Sequence, residues 1–168
     1  MKQILLPILV VVVFIISVGL LTQRVQDGNL AFPETRNNQT LEKEEIKIED
    51  STISVEIVKT EIQRRQGLSG KENLPEGEGM LFIFESKNIQ PPFWMKDMKL
   101  AIDIIWIDDD KVVQIDKDIQ PPEPRTPDNE LVLYTPNQPI DYVLEVNAGF
   151  SEENKIKVGD GVNLSVIE

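Results

Sequence analysis

The chain has 168 residues, a formal charge of −12, no histidine and no cysteine. That length fits one compact domain with extra segments, and a surface this acidic repels phosphate backbones, which argues against nucleic acid as a partner. Without imidazole or thiol, Ser-His-Asp and Cys-His catalysis, His- or Cys-ligated metals, disulfides and lipidation at cysteine are excluded. Any chemistry must run on carboxylates, Lys, Arg, Tyr, Ser or Thr. That favours a binding protein without cofactor or metal over an enzyme.

A short tail (residues 1–3) precedes Ile4 to Leu21, 18 residues without a charge. As a helix the run reaches about 27 Å, close to the thickness of a hydrocarbon core. It reads as a single transmembrane anchor with the remainder on the extracytoplasmic side of the cell membrane. The rival is a signal peptide cut after Gly19, since Ser17 and Gly19 have suitable spacing; the protein would then be secreted. Residues 22–44 are polar and aperiodic and read as a flexible linker. The domain is expected over residues 45–168.

From Ile46 the apolar period becomes two. Ile46 and Ile48, then Ile53, Val55 and Ile57, flank the turn residues Asp50-Ser51 and predict a hairpin. Thr60 followed by Gln63 predicts a capped helix that Gly67 ends. Further strands are predicted at Met80–Phe84, Phe93–Met95, Ile102–Ile107, Val112–Ile115, Leu131–Tyr134, Tyr142–Val146 and Val162–Ile167. Asp108-Asp109-Asp110-Lys111 reads as a hairpin turn, since it lacks the Gly and distal Glu of a calcium loop. Gly159-Asp160-Gly161 reads as a turn before the last strand, and a second short helix is expected after Ser151. The expected fold is mainly β (α+β): a small antiparallel barrel-like or sandwich domain with one or two short helices.

Phe82, Phe84, Phe93 and Trp94 fall within 13 positions of a chain that is 6% aromatic. Strand alternation would bury Phe82 and Phe84 together, and core packing accounts for most of this cluster. The functional alternative is a pocket walled by Phe93, Trp94 and Met95, with Lys96, Asp97 and Asp103 on its polar rim. Arg64 on the first helix could grip a carboxylate, either a ligand's or that of Glu145; a structural Arg64–Glu145 pair is the simpler expectation. Asp103, between Ile102 and Ile104, fits a structural acceptor of backbone N–H groups better than a catalytic acid. Asp97 with Asp103 as a hydrolytic carboxylate pair is the weakest reading.

Arg64-x-x-Gly67-Leu68, Leu74, Gly79-Met80-Leu81-Phe82-x-Phe84, Phe93-Trp94-Met95-Lys96, Asp103-Ile104, Tyr142-Val143-Leu144-Glu145-x-x-Ala148-Gly149 and Gly159-Asp160 occur in this order. The series resembles the family called domain of unknown function 192, whose members are small, often exported or membrane-anchored bacterial and archaeal proteins. The resemblance spans about Ile46 to Ile167 and implies a compact β-rich fold, but supplies no activity. The chain departs from the family pattern at Ser69, where Met is usual, and at Asp97-Met98, where Asn-Thr is usual.

The leading expectation is therefore an anchored extracytoplasmic β domain that binds an envelope component, a small ligand or a partner protein through Arg64, Trp94, Lys96, Asp97 and Asp103. An interaction module using a sheet edge, and then a carboxylate-based hydrolase, are the alternatives.

Overall fold

A computed structural model describes residues 41–165 and Ile167. The expected anchor, the signal-peptide alternative and residues 22–40 of the linker lie outside the described residues. Among the described residues no helix is long and apolar enough to cross a membrane.

The domain is mainly β, with a curled half-barrel sheet and two short helices. Among the described residues nine strands follow in chain order: β1 (Glu42–Ile48), β2 (Ser51–Val58), β3 (Glu78–Ile83), β4 (Phe93–Trp94), β5 (Ile102–Asp108), β6 (Lys111–Ile119), β7 (Leu133–Tyr134), β8 (Tyr142–Asn147) and β9 (Val162–Asn163). Helix α1 is Glu61–Gln66 and α2 is Phe150–Glu153. Seven strands form one sheet in the order β6-β5-β8-β3-β2-β1-β9, and β4 pairs with β7 in a separate ribbon.

Each expected strand region contains a strand, and the expected helix at residue 61 is present. Two features differ from the sequence reading. The charged run Glu42–Glu45 belongs to β1, paired with Ile57 through Ser54 of β2. Two of its charges find partners on a neighbouring strand and loop, with Lys43 at 2.7 Å from Glu78 and Glu42 at 2.9 Å from Lys59. The second difference is that β2 and β3 run parallel. A parallel pair needs a long crossover, and residues 59–77, carrying α1, supply it.

Alternation divides the core between the two faces of the sheet. On one face lie Ile105 and Ile107 of β5, Leu81 of β3, Leu144 and Val146 of β8, and the isoleucines of the β1–β2 hairpin. On the other lie Ile104 and Trp106, Met80 and Phe82, and Val143, covered by Leu68, Leu74 and Met95 from the connecting loops. The curl brings the two sheet edges together at one end. There Lys111 bridges Gly161, Val162 N donates to Asp110 O (2.7 Å) and Val112 N donates to Asp160 O (3.0 Å).

Helix α1 starts because Thr60 Oγ1 accepts from Gln63 N (3.2 Å) while Gln63 Oε1 accepts from Thr60 N (3.0 Å), a reciprocal capping box. It stops at Gly67, whose φ of 47° is strained for any side chain. A Cβ there would also lie 3.4 Å from the Phe82 ring. The end of α1 is thereby set down on β3, and this contact positions one wall of the cleft described next.

Candidate functional site

Between α1 and the chain leading into β4 lies an open cleft of about 200 Å³. Arg64 and Leu68 line one side, and Pro92, Phe93, Trp94 and Met98 the other. The aromatic wall is a packed unit, not a set of loose rings. Phe93 meets Phe82, Trp106 and Phe84 edge to face, with centroids at 4.9, 5.5 and 6.5 Å. Such pairs contribute about 1 kcal/mol each beyond the area they bury and hold the wall in place. Trp94 alternates outward from Phe93 and remains 45% exposed at the mouth.

Glu145 lines this cleft. It sits at the centre of the sheet, opposite Met80 on β3 and Ile104 on β5. The residue is 5% exposed, and its Oε2 has no hydrogen-bond partner. Burial in this apolar setting pushes its carboxyl up to about 8. At neutral pH the group is therefore largely a neutral acid, a form able to donate as well as accept.

Arg64 does not neutralise it. The Arg64 Nη1 donates to Ile83 O at 3.0 Å and to Lys59 O, and the guanidinium lies 5.5 Å from the Phe84 ring centroid. Among the described residues there is no Arg64–Glu145 ion pair, contrary to the simpler expectation from sequence. The physical reason is competition: the crossover from β2 and the end of β3 present two carbonyl oxygens to the guanidinium. Arg64 thus ties α1 to the sheet while its chain forms part of the cleft.

Lys96 and Asp97 lie in an adjoining groove that shares Arg65, Gln66, Ser69 and Trp94 with the cleft. The Lys96 ammonium is paired with Asp128 and lies 5.8 Å from the Trp94 ring centroid. Its hydrogen bond to Asp128 raises its pKa above the ordinary lysine value. Asp97 is exposed with φ 56°, and its carbonyl accepts from Gly70 N at 2.9 Å. Asn and Asp are the side chains that best tolerate this left-handed conformation, so Asp97 meets the same backbone demand as the usual Asn. Ser69 Oγ donates to Lys96 O at 2.7 Å. Two departures from the family pattern, Ser69 and Asp97, therefore meet where the two loops are pinned together, and the third, Met98, adds to the apolar wall.

Asp103 is apart from all of these. Strand alternation places it on the face opposite Ile104 and Glu145, fully buried. Its carboxylate accepts from Asp118 N (2.9 Å), Gly149 N (3.1 Å) and Ser151 N (2.9 Å). It fixes the irregular pairing of β5 with β6 and the start of α2. This is the structural role favoured by its sequence context, so Asp103 leaves the candidate set and the Asp97–Asp103 carboxylate pair has no common cleft. Of the five expected residues, the structure gathers Arg64, Trp94, Lys96 and Asp97 along the cleft and its groove. Glu145 was expected only as a partner for Arg64; the signal for more was an acid in the middle of the apolar run Tyr142–Val146.

Sequence and fold comparisons agree with this architecture. The profile of the family DUF192 (Uncharacterized ACR) matches residues 43–164. The chain belongs to this family. No curated protein matches it. Its fold is similar to the crystal structure of a candidate transcription regulator from Sinorhizobium meliloti 1021, with TM-score 0.65 and 26% identity over 73% of this chain and 94% of that one. It is also similar to a protein of unknown function from Novosphingobium aromaticivorans DSM 12444, with TM-score 0.66 and 24% identity over 75% and 88% of the two chains.

Proposed function

We propose that this domain is a non-catalytic binding module whose cleft takes a small ligand, on the extracytoplasmic side of a membrane to which residues 4–21 anchor it. The observation that carries the reading is the Glu145 carboxyl: buried, unpartnered at Oε2 and lining an open aromatic cleft. Buried polar groups are nearly always satisfied within the fold, so a buried acid without partners in the wall of a cavity suits a ligand that enters and engages it. Trp94 at the mouth and Phe93 behind it offer that ligand an apolar surface. The absence of histidine and cysteine and the separation of Asp97 from Asp103 weigh against catalysis. The acidic charge of −12 weighs against a nucleic-acid partner.

A partner envelope protein is the second reading, favoured by Val132 and Leu133, 63% and 57% exposed, with Leu133 paired directly to Trp94 across the β4–β7 ribbon. A thermal-shift screen of the full chain in detergent, against envelope sugars, peptides and small organic ions, separates the two. A ligand at 100 times its Kd adds about 2.7 kcal/mol, a rise of about 10 °C for a domain of this size. The ligand reading expects such a shift and its loss in Trp94→Ala. No shift with any class, together with crosslinking of Leu133 to a protein in intact membranes, would replace it with the partner reading. Protease protection in sealed vesicles checks the membrane side.

A further inference from the structure

The cleft also carries information about the charge of what it binds, and the inference below rests on the ligand-pocket reading just given. Four charged or titratable side chains line it: Glu61, Arg64 and Arg65 from α1, and Glu145 from β8. The β4 side contributes only Pro91, Pro92, Phe93, Trp94 and Met98, none of them ionisable. Three of the four have partners inside the protein. Arg65 and Glu61 face each other at 3.6 Å, and Arg64 donates to the carbonyls of Lys59 and Ile83. Of the four, Glu145 is the one with a buried side-chain oxygen that meets no partner, and it is an acid.

The rings point the same way. Aromatic faces attract cations, and the domain already uses two of them so: the Arg64 guanidinium lies over Phe84 and the Lys96 ammonium over Trp94. The protein's net charge of −12 adds a long-range field that draws cations in and turns anions away. The cleft of about 200 Å³ has room for roughly seven waters, which is the scale of a small organic molecule.

We infer that the ligand is an organic cation, a protonated amine on a short apolar body, whose ammonium meets Glu145 while the body lies against Phe93 and Trp94. Binding then exchanges one positive charge for another. The carboxyl proton leaves to bulk water, and the incoming ammonium takes its place beside the carboxylate.

The test is calorimetry on the full chain in detergent at pH 7 with three probes of similar shape: 2-phenylethylamine, 2-phenylethanol and phenylacetate. The inference expects the amine to bind at least tenfold more tightly than either of the others. It expects a tenfold or greater loss of that affinity in Glu145→Gln, which keeps the shape of the side chain. It also expects release of nearly one proton per amine bound, read from the dependence of the heat on buffer ionisation enthalpy. Amine binding no tighter than that of the alcohol, unchanged in Glu145→Gln or without proton release overturns the cation assignment. If in that case the alcohol or phenylacetate binds and Trp94→Ala abolishes it, the cleft remains the binding site with a different ligand chemistry. Failure of all three probes at millimolar concentration overturns both the cation and the pocket.

Discussion

Two buried carboxyl groups, Asp103 and Glu145, occupy adjacent strands of one sheet and face opposite ways. Asp103 is surrounded by donors: three backbone N–H groups from β6 and the start of α2 converge on it. Glu145 has apolar cross-strand neighbours and an oxygen with no partner. Burial is the same in kind, yet the consequences are opposed. The satisfied acid holds elements together and is structural. The unsatisfied acid costs stability in the free protein, a cost that the proposed ligand would offset on reaching it.

Substitutions at and around these two acids sharpen the contrast. Replacing Asp103 by Ala leaves three buried donors without an acceptor, and the expected loss is the largest, about 3 kcal/mol or more by chemical denaturation. Gly79→Ala comes next. A Cβ there would stand 2.8 Å from the Glu145 carbonyl oxygen and 3.1 Å from both Leu144 and Val146, so overpacking of the central strands should cost about 1–3 kcal/mol.

Glu145 should show the reverse sign. Its carboxyl is pushed up to about 8 from an ordinary 4.5, so between these values the folded state holds a proton that the unfolded state has released. Stability is then fully present below about pH 4.5 and is lost as pH rises through about 8, with a slope of at most about 1.4 kcal/mol per pH unit. Glu145→Gln should flatten that slope and stabilise the protein at pH 8 and above, as read by urea unfolding at several pH values. The smallest effect is expected at the rim. Asp97→Asn should leave stability within about 0.5 kcal/mol, since both residues accept φ 56°, whereas Asp97→Val should cost about 1–2 kcal/mol.

Much of the fold is legible in the chain because its signals are local. Alternation marks Ile46 to Ile57 as a hairpin, and Thr60, Gln63 and Gly67 state where α1 begins and ends. The parallel pairing of β2 with β3 was not legible, because a period of two reports which residues face the core and not which strand lies alongside. The charged start of β1 was hidden for a related reason: its pairing is made by backbone groups, while Glu42 and Lys43 find their ion pairs at Lys59 and Glu78, far along the chain. At the site, the loop bearing Trp94, Lys96 and Asp97 could be read from its unusual composition, and the bonded role of Asp103 from its apolar flanks. The state of Glu145 could not. It depends on Arg64 choosing the carbonyls of Lys59 and Ile83, a choice made only once the crossover has folded back on the sheet.

The central claim, that Glu145 is a buried acid kept free for a ligand, is tested most directly by titrating its side-chain carboxyl carbon by NMR in the intact protein. The expected midpoint is about 8, falling sharply when 2-phenylethylamine is bound. A midpoint near the ordinary 4.5 in the free protein, or one the amine leaves unmoved, would contradict the account.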